Sequence, residues 1–143
     1  MLFRSFGDMD GLYVAVIDRI GRRYTHLTRP FEATSWQGQI GEAMDRRLEM
    51  FESVLPYRRA ADMHRQRSPL LSHGLDALTM MLRARLDSIV PAAARADNIW
   101  FEQLDLWLSL EAYGRLRDRQ QLSHVGAAGV ISAAVAALLA AKS

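Results

Sequence analysis

The sequence contains no cysteine, which excludes disulfides, thiolate metal centres and cysteine nucleophiles. That absence fits a reducing compartment, and a cytoplasmic location is expected. Lysine is nearly absent: Lys142 is the only one, and the rest of the Lys and Arg total is arginine. The arginines fall in scattered pairs among acids (Arg22/Arg23, Arg46/Arg47, Arg58/Arg59), and the net charge is only +2. This pattern reads as the composition of an Ala- and Arg-rich bacterial genome, and not as a phosphate-binding surface over the body of the chain. Only four prolines occur, which suits long helices with short connections. Long strongly apolar runs are missing as well. The stretch Val125 to Ala141 is mostly alanine, with two glycines and Ser132, and falls short of the about 20 apolar residues that a membrane span needs. Met1 to Phe6 are too few and too polar for a signal peptide, so no membrane partner is expected.

What remains is a chain of 143 residues, half of them hydrophobic, enough for one domain around one core. Apolar positions recur at helical spacing. Asp8 is a candidate N-cap for a first full helix carrying Leu12, Val16, Ile17 and Ile20. Thr34 and Gln37 make a capping-box pattern ahead of Trp36, Ile40, Met44, Leu48, Phe51 and Leu55. Pro56 is expected to start or kink a short helix reaching about Arg65. Ser68-Pro69 opens a long helix marked by Leu71, Leu75, Leu78, Leu82, Leu86 and Ile89, closed by Pro91. Asp97 caps a Trp-rich helix running to about Arg117. Ser123 caps a last helix that is apolar almost all round. No stretch alternates as a strand would, so the expectation is an all-α antiparallel bundle of about six helices.

A helix apolar on every side must be covered on every side. In a chain this small a second copy is the most economical cover. Small residues at spacing four (Gly129, Ala133, Ala137 and Ala141; Ala128, Ser132, Ala136 and Ala140) permit close helix approach. Beside them Ile131, Val135, Leu138 and Leu139 form a bulky stripe. With Leu110 and Tyr113 of the preceding helix these residues are the expected homodimer interface, half of an intermolecular four-helix bundle.

Motifs for chemistry are few. No two of His26, His64, His73 and His124 stand at metal-binding spacing, and no His-Glu-x-x-His, Gly-x-Ser-x-Gly or phosphate-cradling glycine loop occurs. No enzyme activity, cofactor or metal is expected. Met and aromatic residues concentrate on the three middle helices. Trp36, Met44, Phe51, Met80, Trp100 and Trp107 read either as ordinary core or as the lining of an apolar cavity for a small effector. Arg46, Arg47 or His73 would give that cavity a polar route.

Two segments resemble the TetR family of bacterial transcriptional regulators. The string Leu2-Phe3-Arg4-Ser5-Phe6-Gly7-Asp8-Met9-Asp10-Gly11-Leu12-Tyr13 is similar to the end of the family's helix-turn-helix recognition helix, a tight turn and the start of the linking helix. The string Ser109-Leu110-Glu111-Ala112-Tyr113-Gly114-Arg115-Leu116-Arg117, followed by Gln121-Leu122-Ser123, is similar to the junction of the last two helices of TetR-like bodies. The resemblance implies a homodimeric regulator, a repressor by type, that binds a small apolar effector in its body and palindromic operator DNA through its heads. It divides the chain into 1–7, a recognition-helix remnant with Phe3, Arg4 and Ser5 on the DNA-facing side, and 8–143, the effector-binding and dimerisation body. The family has about two further helices before the position of Met1, since the recognition helix needs a brace. This chain is therefore expected to bind operator DNA only when those helices are restored. The alternative is a stand-alone helical dimer that binds a hydrophobic ligand or a partner protein, with no DNA role.

Overall fold

A computed structural model describes the backbone of residues 2–143 and the side chains of residues 9–143. Every regular element among them is helical: α1 (Leu2–Tyr24), α2 (Trp36–Asp62), α3 (Pro69–Ile89), α4 (Ala92–Arg95), α5 (Asn98–Trp107), α6 (Leu110–Asp118) and α7 (His124–Ala140), with single 3₁₀ turns at Thr25–Thr28 and Arg65–Arg67. No helix among the described residues is long and apolar enough to cross a membrane. The side chains of Phe3, Arg4 and Ser5 lie outside the described residues.

Several boundaries follow the sequence. Ser68 caps α3, accepting from the Leu71 N–H at 3.1 Å, Asp97 caps α5, accepting from Trp100 at 3.1 Å, and Ser123 caps α7 through Gly126 at 3.0 Å. Others differ. Ser35, not Thr34, caps α2 by accepting from Gly38 at 3.1 Å. No turn interrupts α1 at Asp8, because the cost of Gly7 in a helix, about 1 kcal/mol, is too small to break a helix this long. Pro56, expected to start or kink a short helix, lies inside α2, which continues through it to Asp62. Pro56 faces solvent, where water can satisfy the carbonyl that proline leaves unbonded. Conversely the long Trp-rich helix breaks after Trp107, and Ser109 starts α6 by accepting from Ala112 at 3.1 Å.

Helix α2 is the axis of the bundle. It packs on α1 and α3 along one side and on α6 and α7 along the other, while α5 and α6 both lie against α7. The α1–α3 contact is close because Gly74 presents no side chain. A Cβ there would sit 2.9 Å from Ile17 Cδ1. One continuous core runs through the bundle, with Ile20, Ile40, Phe51, Val54, Leu71, Leu86, Phe101, Leu104 and Ile131 all closed to water. The α6–α7 turn passes through Gln121, which adopts the left-handed conformation at φ 58°.

Candidate functional site

The space between α2, α3 and α5, where an apolar cavity is expected, is occupied. Arg47 projects from α2 into it and is only 1% exposed. Its guanidinium donates to the Leu82 carbonyl of α3 at 2.7 Å and to the Leu108 carbonyl at the end of α5 at 3.1 Å. Burial pushes its pKa down to about 10, an effect that Asp105 partly opposes. Asp105 itself is held by Arg83 at 2.7 Å. The apolar walls leave no gap: Phe51, Leu86, Phe101 and Leu104 offer no surface that a water molecule can reach. A volume closed to water is closed to any effector, so these positions form a filled core around a buried cation.

The expected lining residues are correspondingly dispersed. Phe51 packs against Tyr113, ring centres 6.0 Å apart. Trp100 is buried, donates its indole N–H to the Leu138 carbonyl at 2.8 Å and meets half-buried Trp36 edge to face. Met44 lies beneath Ser132, its sulfur 3.8 Å from the hydroxyl. Met80 is 62% exposed on the outer face of α3. Trp107 is half-buried and lines a shallow depression of about 260 Å³ together with Leu106 and Val130. These six do not share one cavity. Of the proposed polar route, Arg46 is used to hold the chain before α2, donating to the carbonyls of Arg29 at 2.6 Å and Pro30 at 2.8 Å, and His73 is exposed on α3.

The pairing face also needs redrawing. Leu110, Tyr113, Ile131 and Val135 are buried within one chain, and Leu138 and Leu139 are half-buried against the same core. A side chain with no accessible surface has no contact left to offer a second copy, so Ile131 and Val135 of the bulky stripe are internal. The opposite side of α7 is open, and Gly129, Ala133, Ala136 and Ala140 are exposed along it. Their spacing of four, three and four is the seam of a paired helix. A Cβ built on Gly129 would meet nothing within 4 Å, so no neighbour among the described residues uses that close approach. Exposed Leu106 of α5 and Val130 of α7 border the same depression. Ile99, one of the most exposed apolar side chains, extends the surface along α5 from Leu106. Neither Ile99 nor Leu106 is among the side chains expected at the homodimer interface. Their signal is that they lie on the side of α5 away from Trp100 and Leu104.

At the start of α7 a polar cluster joins three helices. The Glu52 carboxylate of α2 accepts from Arg117 of α6 at 2.8 and 3.0 Å and from the Tyr113 hydroxyl. The phenolic oxygen is then left to accept from Nδ1 of His124 at the start of α7, 2.7 Å away. Arg117 also donates to the Leu122 carbonyl in the turn at 2.8 Å. The hydrogen bonds from Arg117 and Tyr113 pull the Glu52 pKa down to about 2. Burial raises that of Tyr113, and its bond to Glu52 raises it further. A carboxylate locked in its charged form and a phenol locked in its neutral form are poor proton carriers near neutral pH. The cluster fastens α6 and α7 to α2. Among the described residues no group of three His, Asp or Glu is arranged to hold a metal ion. Compared with known proteins, the chain matches no family model, no curated protein and no solved structure.

Proposed function

We propose that this chain is the dimerisation body of a TetR-like transcriptional regulator, a repressor by type, which needs a helix-turn-helix head to bind an operator. The observation that carries the reading is the open seam of Gly129, Ala133, Ala136 and Ala140, bordered by exposed Leu106 and Val130. It lies on the last helix, next to the Tyr113–Arg117 junction on which the family resemblance rests. Two α7 helices meeting along it, flanked by α5 and α6 from each copy, make an intermolecular bundle with twofold symmetry.

The filled interior favours a second reading, a helical dimer with no DNA role, since the expected effector cavity is occupied by Arg47 and its neighbours. DNA selection separates the two. The chain, extended at its N-terminus by a two-helix segment that completes a helix-turn-helix, is incubated with a random DNA pool beside the 143-residue chain. The regulatory reading expects the extended protein to enrich a palindrome with half-sites about one helical turn apart and the shorter chain to enrich none. Selection of no sequence by either protein would favour the second reading.

A further inference from the structure

We propose that the cleft between the 25–30 turn and α2 binds a small organic oxyanion, a carboxylate or a phosphate monoester carrying an apolar group. The cleft encloses about 470 Å³, within the range of roughly 300 to 1,000 Å³ typical of small-molecule sites. Its rim carries the guanidinium groups of Arg23 and Arg29, and His26 and Arg46 line it as well. Elsewhere the arginines are largely matched by acids: Arg58 with Glu111 at 3.0 Å, Arg95 with Asp87 at 2.9 Å, Arg117 with Glu52 at 2.8 Å. Among the described residues neither Arg23 nor Arg29 has a carboxylate in ion-pair range. Arg29 uses only Nε, which donates to the His26 carbonyl at 3.1 Å, leaving its terminal nitrogens for another acceptor. Arg23 rests on the Tyr57 ring, 5.3 Å from its centre, a position that fixes the guanidinium plane while its edge donors stay open.

The charge behind the rim is mixed: Glu42 lies 3.6 Å from Arg46 and Asp105 faces Arg47, while among the described residues other guanidinium nitrogens there have no carboxylate. Arg46 and Arg85 lie 4.7 and 5.2 Å from the centre of the Phe31 ring. The Arg85 Nε is buried without an acceptor, and Arg47 is buried with carbonyl partners alone. Among the described residues Glu49 is the carboxylate on the lip; it offsets part of the guanidinium charge, and the balance favours an anion of low charge. Leu27 and Met50, each 7% exposed, show an apolar edge to the cleft, and the aliphatic stems of its arginines extend the surface on which the remainder of the ligand rests. The regulatory reading is not needed here, because a chain with no DNA role would bind the same anion.

The test is isothermal titration of the folded 143-residue chain with benzoate, phenyl phosphate, inorganic phosphate and neutral benzyl alcohol at constant ionic strength. Saturable binding of benzoate or phenyl phosphate is expected, the tighter of the two identifying the preferred oxyanion. Inorganic phosphate should bind more weakly because it leaves the apolar part of the cleft uncovered. The double variant Arg23→Gln/Arg29→Gln should weaken binding by about tenfold or more, and Arg119→Gln, outside the cleft, should not. Ser53→Glu, at an exposed position on the cleft wall, should abolish binding without disturbing the helix. Benzyl alcohol binding as well as benzoate, or unchanged anion binding in either cleft variant, would overturn the proposal, as would the absence of saturable binding up to millimolar anion.

Discussion

Arg47 donates to the carbonyl of Leu108 at 3.1 Å, and so ties the middle of α2 to the point where α5 ends. A guanidinium this deeply buried normally has a carboxylate partner, because desolvating an ion is costly. Arg47 has backbone carbonyls instead, so removing it abandons no buried anion. Arg47→Met, which keeps most of the volume, should therefore change stability by no more than about 2 kcal/mol. Both variants take the guanidinium donor from the Leu82 and Leu108 carbonyls; Arg47→Ala leaves a void as well and should cost about 3 to 5 kcal/mol. Urea denaturation of both variants measures the difference.

Glu52 should make the α6–α7 attachment sensitive to acid. Its folded pKa, about 2, lies below its ordinary value of 4.5, so between these values the unfolded chain binds more protons. Its contribution is complete above about pH 4.5 and is lost as pH falls through about 2. The carboxylate is more than a third exposed, which limits the loss from Glu52→Gln at pH 7 to about 1 kcal/mol. Urea midpoints of the parent and Glu52→Gln should converge as pH is lowered to 2. A gap that stays constant with pH would contradict this assignment.

Two helical glycines should respond in opposite directions to alanine. At Gly74 the new Cβ would meet Ile17 atoms at 2.9, 3.0 and 3.1 Å, and forcing α1 away from α3 should cost about 1 to 3 kcal/mol, less the helix-propensity gain. At Gly41 nothing lies within 4 Å, so Gly41→Ala should raise stability by up to about 1 kcal/mol. Thermal midpoints measured side by side test both signs.

The helical class was legible in the apolar spacing, and the caps at Ser68, Asp97 and Ser123 were legible because a short polar side chain precedes each periodic run. The site was less so. Ile131 and Val135 are as apolar as Leu106, and periodicity cannot say which stripe faces its own chain. Arg47 adjoins Arg46 in sequence, yet one is buried and the other holds a surface loop, a difference made by helices far along the chain. The cationic cleft has the same origin: the 3₁₀ turn after α1 carries His26 and Arg29 to Arg23 and α2, a placement no local motif encodes.

Arginine substitutions on the two sides of α7 should separate folding from pairing. Val135 is 1% exposed, and a buried charge there should unfold the chain, a cost of several kcal/mol. Ala133 is exposed, and Ala133→Arg should keep the parent circular dichroism spectrum and lose only the stability that pairing adds, a difference that grows with protein concentration.

The central claim is that the open seam of α7 pairs with itself. Sedimentation equilibrium of the 143-residue chain at micromolar concentration, beside Ala133→Arg and Ala136→Arg, tests it most directly. The seam predicts a parent of twice the 16.1 kDa chain mass and folded variants at the chain mass. A folded parent that sediments at 16.1 kDa, or variants that pair as tightly as the parent, would contradict it.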